Sequence, residues 1–281
     1  MSLFYITPTF AMTAFALVGL CIGSFLNVVI YRLPKILEAQ FEAESSSLSL
    51  SHPPSTCGSC GHRIRWFENI PIVSFIFLRG RCSACHAKIS LRYPLIELAT
   101  SVIFAYCAWR WHFTFIAAVH AAFGAALLTL SMIDWDTSYL PDEITVPLTW
   151  GGLVAAGLVL LPSVTLYQSL IGACVGYLSL WFINFIFKKI KGCDGMGGGD
   201  FKLFAAIGAW LGWQALIPVV YLAACIGLVL SGVLIVAKKV WIDEHGNKKF
   251  PFGPDLAFAA GVQIVIGDDW FYRLIEFIYG R

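Results

Sequence analysis

Apolar residues along this chain come in runs long enough to cross a bilayer, and polar residues are confined to the gaps between them. A helix needs about 20 mostly apolar residues to traverse the hydrocarbon core. By that criterion candidate spans fall at residues 10–31, 95–111, 114–133, 144–161, 166–187, 203–213, 217–237 and 250–267, about eight in all. The sixth is short, and either begins as early as Asp200 or merges with the seventh. The eighth is short too, and opens on Pro251 and Pro254, which suits a broken turn. No Lys or Arg precedes the first run, which is longer than the roughly 7–15 residues of a signal-peptide core, so it is expected to remain as an anchor. The pattern predicts an all-α polytopic membrane protein.

Composition agrees. Hydrophobic residues make up 58% of the 281 and charged residues 13%, against about a quarter charged in a soluble domain. The formal net charge of +2 is uninformative, but its distribution is not. Of 19 Lys and Arg, eight follow the first run (Arg32, Lys35, Arg63, Arg65, Arg79, Arg81, Lys88, Arg92). Four follow the fifth (Lys188, Lys189, Lys191, Lys202) and four the seventh (Lys238, Lys239, Lys248, Lys249). Basic residues favour the cytoplasmic side. Both termini are therefore expected outside, in the periplasm, with connections 1, 3, 5 and 7 inside; connection 3 has no Lys or Arg, and parity alone places it. The chain then divides into an N-terminal transmembrane helix (1–31), a cytoplasmic segment (32–94), a seven-helix membrane core (95–267) and a C-terminal tail (268–281). Residues 38–55, rich in Glu, Ser and Pro, read as a mobile linker. The tail carries Asp268, Asp269, Trp270, Phe271, Tyr272 and Tyr279 and reads as interfacial. Nothing in the pattern points to nucleic acid; lipid is the expected surrounding.

Within the cytoplasmic segment lie Cys57-x-x-Cys60 and Cys82-x-x-Cys85, separated by 21 residues. Two such pairs form the usual tetrahedral thiolate site for a structural zinc, the gap being one residue beyond the common range. Two disulfides are the alternative, disfavoured in a reducing cytosol. His62 and His86 lie just outside the pairs as possible replacements. A segment this short has too little core to fold without such a staple. The other five cysteines read as small hydrophobes.

Acidic residues in or beside spanning helices are functional candidates. Asp134 and Asp136 end the third span, and Asp200 opens the sixth after Gly197, Gly198 and Gly199. Parity puts Asp134 and Asp200 on one side at similar depth. Two facing carboxylates suffice to hydrolyse a peptide bond. One, ionised, takes a proton from water; the other, protonated, polarises the carbonyl, and the pair shares one proton because close like charges do not both ionise. Which is acid and which base stays open. The glycines allow an extended backbone to approach, and no Lys-[Ser/Thr] follows them, so they are not a phosphate loop. Asp136 is a supporting candidate or a solvated charge, and Lys202 anchors a helix end or tunes Asp200. Asp142 reads as a helix cap, Glu143 as a partner of the helix dipole, Asp194 as a solvated loop charge and Asn27 as an interhelical hydrogen-bonding residue.

These residues carry a resemblance. Gly23-Ser-Phe-Leu-Asn-Val-Val-Ile-Tyr-Arg-Leu-Pro34, Trp66-Phe-Glu-Asn-Ile-Pro71, Arg92-Tyr-Pro-Leu-Ile-Glu97, Ile133-Asp-Trp-Asp136 with Leu140-Pro-Asp142, Gly197-Gly-Gly-Asp200-Phe-Lys-Leu203 and Pro251-Phe-Gly-Pro254 together resemble the bacterial type IV prepilin peptidases, which are also N-methyltransferases. The resemblance runs along nearly the whole chain. It implies that Asp134 and Asp200 are the catalytic pair. It implies prepilin and pseudopilin substrates with a short basic leader, cut after a glycine on the cytoplasmic side, and methylation of the new N-terminus from S-adenosylmethionine. The cysteine-rich segment is associated with that second activity. Gly198 departs from the family, which often has a larger residue there, commonly Tyr. The methyl-donor site is not legible, since no Gly-x-Gly-x-x-Gly follows a strand; Glu68, Asn69, Gly80, Arg92 and Tyr93 are candidates for it or simple supports of the zinc segment. Two other readings compete: another Gly-x-Gly-Asp intramembrane protease of the preflagellin peptidase kind, and a non-enzymatic ion-coupled transporter or scaffold that uses the acids for ions.

Overall fold

The computed structural model describes residues 7–42, 48–236, 241–242, 248–267, 270–271, 273–274 and 276. Among them the chain is almost wholly helical: α1 Pro8–Phe41, α2 Val73–Phe77, α3 Arg92–Trp111, α4 Phe115–Thr137, α5 Asp142–Gly157, α6 Leu166–Lys191, α7 Gly198–Leu211, α8 Leu216–Val236 and α9 Gly253–Ile266. A two-residue antiparallel ribbon, β1 Trp241–Ile242 and β2 Lys248–Lys249, pairs Trp241 with Lys249. Of the expected tail, Asp268, Asp269, Tyr272 and Tyr279 lie outside the described residues.

Each of the candidate spans corresponds to a helix, but the expected count of eight spanning helices is met only in part. Four described helices are long and apolar enough to cross a membrane: Pro8–Phe41, Phe115–Thr137, Leu166–Lys191 and Trp213–Val236. With 16, 14 and 14 residues, α5, α7 and α9 rise only about 21–24 Å, short of the ~30 Å core. α3 has 20 residues, but Arg92, Glu97 and Arg110 dilute its apolar character. An apolar run does not distinguish a helix that faces lipid from one sheathed by other helices. α7 is the second kind, buried from Asp200 through Trp210 on nearly every residue. It is separate from α8, broken at Gly212 by a 3-10 turn over Trp213–Ala215.

α1 also differs from expectation. The Thr7 hydroxyl caps it, Pro8 opens it, and it runs 34 residues, through Pro34, about 51 Å. The polar part of the first connection is thus helical as far as Phe41, where a linker was expected; residues 43–47 of that linker lie outside the described residues.

The chain forms two compact units, Met1–Ala125 and Ala126–Arg281. In the first, α1 and α3 pack along each other. Asn27 Nδ2 donates across them to the Tyr93 carbonyl at 3.1 Å and Ser101 Oγ to that of Ala16 at 3.0 Å, the interhelical role expected of Asn27. Phe104, Cys107, Ala117, Ala121 and Ala125 form its core, with Phe15, Ile22 and Leu26 against it.

In the second unit α7 packs against both α5 and α6. Ser169 Oγ donates to the Ala209 carbonyl at 2.6 Å and Trp210 Nε1 to that of Leu148 at 2.7 Å. Gly172 of α6 and Gly208 of α7 bring the two backbones together, so that a Cβ on either meets the other's carbonyl oxygen. Gly172→Leu is therefore expected to destabilise the protein by at least the roughly 1–3 kcal/mol typical of overpacking, read as a lowered Tm of the purified protein.

Candidate active site

Asp134 lies in the last turn of α4 and is 5% exposed. Its Oδ2 accepts the Gly253 N–H at 2.9 Å. Gly253 is the first residue of α9, so the carboxylate sits where the helix dipole and unpaired N–H groups favour negative charge. The approach requires glycine, because a Cβ at position 253 would lie 2.7 Å from that oxygen. Gly253→Ala is expected to displace the carboxylate. If Asp134 serves in peptide cleavage as the sequence implies, a misplacement of about 1 Å costs roughly 10²-fold in rate, and the loss falls on kcat rather than KM in a peptide-cleavage assay.

Asp200 is 8% exposed and sits in the first turn of α7, where its Oδ2 accepts the Gly197 N–H at 3.1 Å. The three glycines before it are not equivalent. A Cβ at 199 would collide with Leu140 Cβ at 2.7 Å, whereas one at 198 would meet nothing within 4 Å. A larger side chain at 198 would therefore fit. Gly197 and Gly198 are exposed, leaving backbone open to a peptide. Upstream, Asn184 Oδ1 accepts from the Gly195 and Met196 N–H groups at 2.8 and 3.2 Å, and Asp194 binds Lys188 at 2.8 Å. The lysine beside it holds the Asp194 carboxyl below its ordinary range. Asp194 is thus the solvated loop charge expected, and it also pairs with Lys188 next to the glycine segment.

Three contacts draw these helix ends together: Leu140 on Gly199, the Gly253 N–H on Asp134, and Lys202 Nζ on both carboxylate oxygens of Asp142 at 2.6 and 2.7 Å. Lys202 therefore ties the start of α7 to the start of α5. The pair is partly exposed and worth about 1 kcal/mol or less. Pro141 is the N-cap residue of α5 and Asp142 the first residue inside it, rather than the cap itself. Asp136 is exposed, outside the buried cluster.

A third buried carboxylate of the second unit escaped the sequence reading. Asp255, 4% exposed, stands in the first turn of α9, close enough to Asp134 for their charges to repel. It abuts α8 where Gly227 leaves room: a Cβ there would lie 2.7 Å from its Oδ2. The Gly253-Pro254-Asp255 helix start was its only local signal.

In the first unit the cysteines form two similar knuckles. Cys57 N–H donates to His62 O and Cys82 N–H to Ala87 O, while Gly61 and His86 bond back to Cys57 and Cys82. Gly61 and His86 both adopt left-handed backbone, φ 70° and 57°. The four Sγ atoms lie within 4.8 Å of one another, with Cys57–Cys85 at 3.8 Å and Cys60–Cys82 at 4.0 Å. Zn–S bonds of 2.3 Å in a tetrahedron require S···S of about 3.8 Å, so the donor set fits zinc. Backbone N–H groups of Ser59 and Cys60 draw the Cys57 thiol down to about 6. Although a backbone hydrogen bond from His62 opposes it, crowding by Cys85 and the other sulfurs pushes Cys60 up to about 12. His62 faces Glu68 at 3.3 Å instead of the sulfurs.

The remaining candidates surround this module. Glu68 accepts the Arg65 N–H at 2.9 Å, the main cause of its lowered pKa. Asn69 ends the 3-10 turn Trp66–Asn69. Gly80, at φ 66°, turns the chain over the Phe75 ring. Arg92 opens α3, and the Tyr93 carbonyl is the Asn27 acceptor. Glu97, buried, accepts the Ile72 N–H at 2.7 Å.

Residues 17–111 match the Bacterial Peptidase A24 N-terminal domain, and residues 121–232 the Type IV leader peptidase family. The prepilin leader peptidase/N-methyltransferase of Pseudomonas aeruginosa is 42% identical over 273 residues, 93% of this chain and 92% of that protein. Its counterpart in Neisseria gonorrhoeae is 41% identical over 283 residues, covering 95% and 94%. That of Aeromonas hydrophila is 43% identical over 270 residues, covering 90% and 89%. No solved structure matches the chain.

Proposed function

Since this chain belongs to the type IV leader peptidase family, we propose that it is a membrane aspartyl peptidase that removes the leader of prepilins and pseudopilins and methylates the new N-terminus. The observation that carries the reading is the pair of buried carboxylates, Asp134 and Asp200, at helix ends drawn together within one unit.

The substrate's extended backbone lies along the exposed Gly197–Gly198 segment, with its cleavage point after a glycine. One aspartate, ionised, takes a proton from water as the oxygen attacks the carbonyl carbon. The other donates its proton to the carbonyl oxygen. When the C–N bond breaks, the proton taken from water passes to the leaving amine, a hydroxyl of the tetrahedral diol returns its proton to the other aspartate as the carbonyl re-forms, and the pair again holds one proton. The N–H groups of Gly253 and Gly197 keep each carboxylate aimed. Asp136, Lys202 and the glycines support the pair from outside it.

The odd-numbered connections are cytoplasmic and both termini periplasmic, which puts the cysteine module and the aspartates on the side where a basic leader is held. Cys57, Cys60, Cys82 and Cys85 hold a structural zinc, which closes the module and supplies no chemistry. The methyl group comes from S-adenosylmethionine. Glu68, Asn69, Gly80, Arg92 and Tyr93 remain candidates for that donor, but Glu68, Gly80 and Tyr93 have structural tasks, and no step is routed through any of the five. The functional division is an anchor at 1–31, the zinc segment at 32–94, the peptidase core at 95–267 and the tail at 268–281.

The test is the full chain in lipid vesicles with a prepilin and methyl-labelled S-adenosylmethionine. Release of the leader and labelling of the mature N-terminus are expected. Ion-dependent solute uptake without cleavage would replace this reading with the transporter; cleavage deep within a spanning segment would replace it with another kind of intramembrane protease.

A further inference from the structure

Between the two knuckles runs a segment that the chemistry above does not use. The 3-10 turn Trp66–Asn69 packs against α2, Val73–Phe77. Together they leave Trp66, Phe67, Ile70, Val73, Ile76 and Phe77 exposed, Trp66 and Phe77 by more than four-fifths (82% and 83%). Among residues 56–91 the only buried side chain is Cys82. The module thus turns its largest apolar groups outward, and groups of this kind mark an interaction surface.

Three observations identify what covers it. The first is position. The Ile72 N–H is bonded to Glu97 of α3, and Tyr93, one turn earlier, to Asn27 of α1. Asn27 lies four residues before Tyr31, the end of the apolar run, and Arg32 follows. Glu97 itself lies against Gly23 of α1, one turn deeper than Asn27, and eight residues of helix rise about 12 Å, so Ile72 is pinned at or just inside the depth where α1 leaves the hydrocarbon. The second is charge. Residues 56–92 carry Arg63, Arg65, Arg79, Arg81, Lys88 and Arg92, with Glu68 the only acid, and the Glu68 side chain is 9% exposed. The third is continuity. Leu91, the N-cap residue of α3, and Leu95, Leu98 and Val102 within it form an exposed apolar stripe at helical spacing, as on a lipid-facing helix.

We propose that the segment Trp66–Phe77 is a membrane-docked element lying in the headgroup layer of the anionic cytoplasmic leaflet, with Trp66 and Phe77 inserted and the flanking arginines on lipid phosphates. Aromatic residues collect at this level, and cytoplasmic leaflets attract basic segments. The module would then lie flat on the membrane instead of extending into the cytosol. This rests on the chain spanning the membrane with the cysteines inside, and not on the aspartyl chemistry.

The test is photo-crosslinking in the full chain, reconstituted in vesicles of phosphatidylethanolamine and phosphatidylglycerol. p-Benzoylphenylalanine replaces, one at a time, Phe77, Trp66, Leu98 as a lipid-facing reference and Ser51 as a solvent-exposed one, and adducts are identified by mass spectrometry. Lipid adducts are expected at 66 and 77 at yields within about threefold of that at 98, with little at 51. Replacing phosphatidylglycerol with phosphatidylcholine should lower the yield at 77 severalfold and leave 98 unchanged. Adducts at 98 but not at 66 or 77, or crosslinks at 66 and 77 to a second copy of this chain, would overturn the proposal. An unchanged yield at 77 in neutral vesicles would overturn its dependence on anionic lipid. Zinc content and prepilin cleavage, measured on each preparation, establish that the variants fold; loss of cleavage in wild type would count against the peptidase and leave the docking result standing.

Discussion

Asp134→Asn and Asp200→Asn are each expected to lower prepilin cleavage by about 10²–10⁴-fold, the range associated with losing a positioned acid or base. Asparagine preserves the structural part of each site. Its side-chain oxygen still accepts the Gly253 N–H at position 134 and the Gly197 N–H at position 200, the bonds the carboxylates make now. Starts of α9 and α7 should therefore stay in place, with Tm close to wild type. What is lost is the ability to take and return a proton. The fall should appear in kcat, with prepilin affinity little changed, because the exposed Gly197–Gly198 backbone is untouched. Because the two act as a unit, the double variant should be hardly slower than either single one, unlike independent sites. Normal cleavage by either folded variant would mean that the chemistry lies elsewhere, and Asp255, buried beside Asp134, would be tested next.

Removing zinc is expected to have the largest structural effect in the chain, and a local one. With Cys82 the only buried residue among positions 56–91, the knuckles have almost no core of their own. Structural zinc in small domains supplies about 10–16 kcal/mol of apparent binding free energy, which is folding energy. Chelation, or Cys60→Ser, should expose the Gly61, His86 and Ile89 amides to rapid hydrogen exchange, since their partners are the Cys57, Cys82 and Gly80 carbonyls within the knuckles. Methyl incorporation should fall with it. Cleavage should persist, because Asp134 and Asp200 belong to the unit Ala126–Arg281 and the cysteines to Met1–Ala125. Equal loss of both activities would show that the peptidase depends on the zinc module. Protected amides after verified zinc loss would show that the knuckles hold without metal.

Much was legible from the chain alone because its signals are local. Apolar runs found every helix except α2, the five-residue helix Val73–Phe77, since a run reports its own solvation. Cysteine spacing located four sulfurs that meet within 4.8 Å, since each pair closes its own turn. Asp134 and Asp200 were marked by being charged at the ends of apolar segments. Tertiary structure alone decided how those acids are held. The Gly253 N–H that aims Asp134 lies 119 residues away along the chain, and nothing in its neighbourhood announces an acceptor. Likewise Leu140, not a requirement of the loop itself, makes glycine obligatory at 199 and optional at 198. It also decided that α7 is sheathed by α5 and α6, where the apolar run alone read as a short candidate span that begins at Asp200 or merges with the next, and that Asp255 is buried close to Asp134. Hydrophobicity along a chain measures what each residue avoids. Which neighbour covers it, and which distant N–H meets its charge, is settled only when helices far apart in sequence pack together.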